Sequence, residues 1–253
     1  MIASHDAVTL AQFGPRAEAY VGSAVHASGP DLEELKLVAA DAQPARALDL
    51  GCGGGHVSYC LAPHAREVIA VDLSSDMLSA VRATAKQRGL ENVSTCQAPA
   101  ESLPFADGTF DLVACRFSAH HWRDFDRGIA EARRVTRRGA QAVFIDVIAP
   151  ARPLLDTHLQ AVELLRDTSH VRDYAIGEWI ATVERAGFVP QSMRRHRVRL
   201  DFTTWVERMR TPEPLVAAIR ALQAAASQEV ANYFGIEPDG SFNIDVLMLR
   251  VLA

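Results

Sequence analysis

The stretch Ala45-Arg46-Ala47-Leu48-Asp49-Leu50-Gly51-Cys52-Gly53-Gly54-Gly55, followed by Asp72 at the end of the next apolar run, decides the fold. A short hydrophobic strand enters a glycine loop, the loop enters a helix, and a second strand ends in a carboxylate. In an α/β protein that succession makes a seat for a nucleoside. Bare main chain at Gly51, Gly53 and Gly55 allows a closer approach than any branched side chain. A carboxylate about 20 residues further on can accept both ribose hydroxyls.

Upstream, Gly14-Pro15 predicts a helix start, with Phe13, Ala17, Tyr20 and Val21 on one face. Asp31 and Glu34 have the spacing of a capping box for a second helix, which Pro44 ends. Downstream, residues 67–72 read as strand, 75–88 as helix, 93–97 as strand and 110–115 as strand. Residues 125–138 read as a helix stopped by Gly139, and 140–147 as a fifth strand. This alternation predicts a doubly wound, mostly parallel α/β sheet with right-handed crossovers. Beyond it, 153–166 and 177–186 read as amphipathic helices, 189–202 as a long strand, 203–233 as helical and 245–252 as a final strand.

The 253 residues are 49% hydrophobic and carry a net charge of −5, which gives no general pull toward nucleic acid or an acidic membrane. Cys52, Cys60, Cys96 and Cys115 form no Cys-x-x-Cys pair and read as reduced and buried. The N-terminal residues lack the basic-then-apolar pattern of a signal peptide, and no apolar run reaches membrane-spanning length. A cytoplasmic location is expected. The arginines at 133, 134, 137 and 138 and at 194, 195, 197 and 199 read as solvated faces. No His, Cys and carboxylate cluster has metal-ligand spacing, so no metal is expected.

Two residues bear on which nucleoside is bound. A dinucleotide loop starting at Gly51 calls for glycine at position 56, where this chain has His56. Asp49 sits poorly beside a pyrophosphate and well beside an ammonium or sulfonium. Charge favours S-adenosylmethionine, and NAD stays open.

Leu48-Asp49-Leu50-Gly51-Cys52-Gly53-Gly54-Gly55 resembles the first motif of class I S-adenosylmethionine-dependent methyltransferases. Val71-Asp72-Leu73-Ser74 with Asp76-Met77-Leu78 resembles the second, Ala100-Glu101-Ser102-Leu103-Pro104-Phe105 the third, and Phe110-Asp111-Leu112-Val113 the fourth. The pattern is similar to small-molecule enzymes of the quinone-biosynthesis, methyltransferase domain 11 type. The resemblance implies seven strands in the order 3-2-1-4-5-7-6, the last antiparallel. It implies one domain over residues 1–253, with lid helices at 1–42, a cofactor-binding core at 43–148, and an acceptor-side cap with C-terminal strands at 149–253. By the same resemblance, Gly51, Cys52, Gly53 and Gly55 line the methionine part of the cofactor and Asp49 meets its amino group. Asp72 holds the ribose, Leu73 and Met77 touch adenine, and Ala100 and Glu101 stand at its polar edge. Arg116 lies beside the methionyl group, and Arg16 and Tyr20 belong to the lid.

His120 and His121 follow the fourth strand at the carboxyl edge, where α/β sites lie, and are the candidates for a general base. The competing reading has one capping the next helix and the other bonded in the wall of the fold. His170 and Arg172 either orient an acceptor or belong to a polar linker; Trp179 and Trp205 read as core. The expected activity is in-line methyl transfer to a small organic acceptor. An NAD-dependent oxidoreductase and a non-catalytic cofactor-binding protein are the rivals. No nucleic-acid partner is expected, and the exposed face of a cap helix leaves room for a homodimer.

Overall fold

The computed structural model describes residues 3–16 and 29–253. Ser4 caps the first helix, α1 (His5–Phe13), by accepting the Ala7 amide at 3.3 Å, and a 3-10 turn, Gly14–Arg16, follows. Helix α1 ends at Phe13, and the helix that the sequence places after Gly14-Pro15 falls mostly outside the described residues. Ala17, Tyr20 and Val21 lie outside the described residues.

Helix α2 (Pro30–Ala42) starts on Pro30, a residue with no amide to leave unsatisfied. The predicted capping box does not form. Asp31 is drawn into an ion pair with Arg116, and Glu34 reaches Arg194 at 3.0 Å. A buried guanidinium needs a counter-charge more than a helix start needs one particular cap.

The core then alternates β1 (Arg46–Leu50), α3 (His56–Leu61), β2 (Glu67–Asp72), α4 (Ser75–Gln87), β3 (Val93–Gln97) and β4 (Phe110–Arg116). A 3-10 turn (Ala119–His121), α5 (Phe125–Val135) and β5 (Thr136–Ala149) complete it. The C-terminal part contains α6 (Pro153–Arg166), β6 (Tyr174–Ala175), α7 (Ile176–Arg185), β7 (Val189–Leu200), α8 (Phe202–Met209), α9 (Glu213–Ala224), α10 (Gln228–Phe234) and β8 (Phe242–Leu252).

The strands lie in the order β3-β2-β1-β4-β5-β8-β7, with the two-residue β6 pairing off the end of β5. Setting β6 aside, this is the predicted order. β1 to β5 run parallel, and β8 runs antiparallel to both β5 and β7. Side chains alternate across the sheet. Leu48, Leu50, Val113 and Phe144 pack on one face with Ile129 of α5 and Trp179 of α7. Ala47, Leu112, Ile145 and Val246 pack on the other with Leu35, Leu159 and Trp205. Both tryptophans are core, as expected.

Two segments differ from the sequence reading. The helix at 125–138 stops at Val135, because Thr136 is buried opposite Phe110 and already belongs to β5. The ladder is irregular until Leu112 meets Gln141, with Gly139 at φ +78 inside the strand rather than ending a helix. Arg137 and Arg138 are therefore strand residues, and Arg137 reaches Asp111 at 2.5 Å. The helical region at 203–233 is three helices, broken at Arg210 (φ +50) with Pro212 and Pro214 beyond, and again at Ser227, which caps α10. Cys52 and Cys115 are buried, but Cys60 and Cys96 are only half-buried; all four are free thiols.

Candidate active site

The carboxyl ends of β1, β2 and β4 open into a crevice, which α1 flanks. Its floor is the glycine loop. The amides of Gly51 and Cys52 donate to the Val71 carbonyl at 2.9 and 2.8 Å, which folds the loop back over β2. Each glycine has a separate job. A Cβ on Gly51 would collide with Ser118 Oγ at 1.9 Å, so that residue is bare to admit a neighbouring side chain. Gly53, at φ +47, would project a Cβ into open space: its main chain faces the crevice. A Cβ on Gly55 would strike Tyr59 Oη at 2.7 Å and Val81 at 3.0 Å. Gly55 therefore serves the close packing of α3 and does not line the crevice, a correction to its expected place beside Gly51 and Gly53.

Asp72 and Asp49 are among the carboxylates that line the same crevice. Asp72 takes the Gly53 amide on Oδ2 at 2.9 Å and the Ser74 amide on Oδ1 at 2.8 Å. Burial raises its carboxyl, and these amides with that of Leu73 oppose the rise. Asp49 is 1% exposed and takes the amide and hydroxyl of Ser58 on one oxygen, at 2.9 and 2.7 Å. Burial pushes its carboxyl up to about 7 against those two bonds. A cation beside it would favour its ionised form.

Leu73, Met77, Ala100, Glu101 and Cys52 also line the crevice. Glu101 is already engaged, since Oε1 accepts the Asp124 amide at 3.2 Å. Arg116 lines the crevice while paired with Asp31, and its guanidinium lies 4.5 Å from the Phe117 ring centre. Arg16 is not among the lining residues; its guanidinium donates to the Gln12 carbonyl. Tyr20 lies outside the described residues.

The two histidines part company. His121 lines the crevice, stacks edge-on with Phe13 at 4.9 Å and donates from Nδ1 to the Ser169 carbonyl at 3.1 Å. Burial and then the charge of His120 lower it to about 4, so it is neutral at pH 7. His120 faces a second cavity behind the crevice. Burial opposes a charge on its ring, but Asp146, in contact at 2.5 Å, outweighs this and raises His120 to about 9. Neither histidine caps α5: Asp124 does, accepting the Arg127 amide at 3.0 Å. Arg172 pairs with Asp156 and Glu178, as a polar linker would. His170 is buried and meets Gln160 at 3.0 Å.

The sequence reading missed Asp146, Ser58 and Asp31 as partners of site residues. Asp146 had a signal: an acid inside the apolar run Phe144-Ile145-Asp146-Val147-Ile148 has to be bonded to something. Ser58 and Asp31 had none, because their partners are set by packing.

The profile of the family described as methyltransferase domain matches residues 48–144. The uncharacterized protein YafE of Escherichia coli K12 is 44% identical over 199 residues, covering 79% of this chain and 96% of that one. The uncharacterized methyltransferase YcgJ of Bacillus subtilis 168 is 33% identical over 224 residues, 88% of each chain. The crystal structure of YcgJ superposes with a TM-score of 0.82, covering 87% of this chain and 97% of that one. The chain belongs to the class I methyltransferase family. The demethylmenaquinone methyltransferase of Thermus thermophilus is 34% identical over only 117 residues, 46% of this chain and 53% of its own. Among the described residues of this methyltransferase, no helix is long and apolar enough to cross a membrane, and no cluster of His, Cys, Asp and Glu could hold a metal ion.

Proposed function

We propose that the crevice holds S-adenosylmethionine and that this methyltransferase moves a methyl group to a small organic acceptor by in-line displacement. The supporting observation is that Asp49 and Asp72 line one crevice with the uncovered main chain of Gly53. A buried acid with one oxygen bonded to Ser58 suits an α-ammonium group, and an acid anchored by two loop amides suits a ribose diol. Met77 and Leu73 offer an apolar face for adenine.

When bound, the cofactor supplies a methyl carbon already activated by sulfonium. The protein's part is to orient it and to keep the reacting atoms dry. Phe13 and Phe117, at the back of the crevice, are apolar walls suited to that task. Phe117 holds a left-handed backbone (φ +52), unfavourable for a side chain of its size and tolerable only where the surroundings impose it. In this reading residues 43–148 serve the cofactor, 149–253 the acceptor, and 1–42 close over both.

Calorimetric titration with S-adenosylhomocysteine and with NADH tests the proposal. Binding of the first and no response to the second is expected. Tight NADH binding with no response to S-adenosylhomocysteine would overturn it. Incubation with labelled methyl donor and a cell extract would then identify the acceptor.

A further inference from the structure

Behind the crevice lies a second cavity. The two share a wall, because Phe13, Phe117 and His121 line both. Trp205, Val198 and Val246 give the second cavity apolar sides, with the Arg166 guanidinium 5.0 Å from the Trp205 ring centre. Such walls suit a flat ring.

One end is polar. Asp173 is 1% exposed and lines this cavity, yet its Oδ2 has no hydrogen-bond partner among the described residues; His170 Nε2 stands 3.9 Å away. A buried oxygen left unbonded is costly unless a ligand completes it. The nearby acids are already engaged. Asp146 accepts the Ala119 amide at 2.9 Å and the His120 ring, and Glu163 pairs with Arg166 at 3.5 Å. Asp167 accepts the amide and hydroxyl of Ser169 at 2.9 and 2.6 Å.

We propose that this cavity is the methyl-acceptor site and that it takes a compact aromatic or enolic hydroxyl, held by Asp173 and facing the His120–Asp146 pair. This rests on the methyl-transfer reading above. At neutral pH His120 is already an imidazolium held by Asp146 through Nδ1, so the acceptor's O–H bond breaks with its proton going to water, and Nε2–H of His120 pairs with the resulting oxygen anion. The freed electron pair forms the bond to the incoming methyl carbon, and the pair of the broken methyl–sulfur bond stays on sulfur. The groups facing His120 are Asp146 on β5, Glu163 on α6, His121 in its own turn, and His170 and Asp173 before β6. Burial raises Asp173 well above the usual carboxylate range, which favours the protonated form, able to donate to an oxygen. That favours an oxygen acceptor over an ammonium ion, which calls for an ionised acid.

The probe is 4-nitrophenol, whose phenolate is coloured, titrated with and without S-adenosylhomocysteine. The controls are 4-nitroanisole, which lacks the hydroxyl, and 4-nitrobenzylamine, which carries a cation. The phenol is expected to bind about tenfold tighter than either control and to show its phenolate band at a pH where the free phenol is protonated. His120→Gln should abolish the band. Val198→Phe, which fills the cavity from the edge strand, should abolish phenol binding while leaving S-adenosylhomocysteine affinity unchanged. Phenol binding no tighter than the anisole's, preference for the amine, or unaltered phenol binding in Val198→Phe would each overturn the proposal. Failure of S-adenosylhomocysteine to bind counts against the cofactor reading alone, because the phenol is also titrated without it.

Discussion

The main-chain amide of Gly53 donates to Oδ2 of Asp72 at 2.9 Å, so the glycine loop and the tip of the neighbouring strand share one carboxylate. Asp72→Ala removes the anchor of the loop and the proposed ribose acceptor together. Affinity for S-adenosylhomocysteine is expected to fall roughly tenfold or more, since charge-assisted hydrogen bonds contribute about 1.5–3 kcal/mol each. Calorimetry measures it, with circular dichroism as the check on folding. Undiminished affinity would remove Asp72 from the cofactor.

Gly53→Ala and Gly55→Ala should separate binding from folding. At Gly53 the added methyl meets no protein atom within 4 Å, so the stability cost is only the left-handed backbone, about 1–2 kcal/mol. The methyl enters the crevice, and cofactor affinity should drop. At Gly55 it strikes Tyr59 and Val81 as well, adding about 1–3 kcal/mol of overpacking. Urea unfolding should rank Gly55→Ala as the less stable, and calorimetry should rank Gly53→Ala as the poorer binder.

Asp49 gives the site a proton to release. Its folded-state value of about 7 lies above the ordinary 3.8. Its contribution to stability is therefore complete below about pH 4 and is lost as pH rises through about 7. An ammonium group against it favours the ionised form. Binding of S-adenosylhomocysteine near pH 6 should then expel a proton, read as a dependence of the binding heat on the buffer's ionisation enthalpy. Asp49→Asn should abolish that dependence; equal heats across buffers in the parent protein would show that Asp49 does not meet the amino group.

Gly128 sits inside α5, where helix propensity alone makes alanine better by about 1 kcal/mol. The structure reverses the sign. A Cβ there would lie 2.3 Å from Cε3 of Trp122, a residue that lines the crevice. Gly128→Ala should lower stability by about 1–3 kcal/mol in urea and disturb cofactor binding. A gain in stability would mean that the Trp122 ring yields freely.

The sequence by itself determined what depends on neighbours along the chain: the strand–loop–helix at 45–61, the carboxylate ending β2, and the alternation that sets the sheet. Hydrophobic period, glycine spacing and caps are written in adjacent residues, so they are legible there. The tertiary structure decided what depends on residues far apart in the chain. Asp31 left its predicted cap for Arg116, and Gly55 turned from the crevice to Tyr59 and Val81. Asp146 took hold of His120, and helix α5 gave way to β5 at Thr136 once Phe110 lay opposite. In each case the free energy of burial, of satisfying a charge or of filling a volume outweighed a local preference, and no residue's neighbours in sequence record which distant partner will arrive.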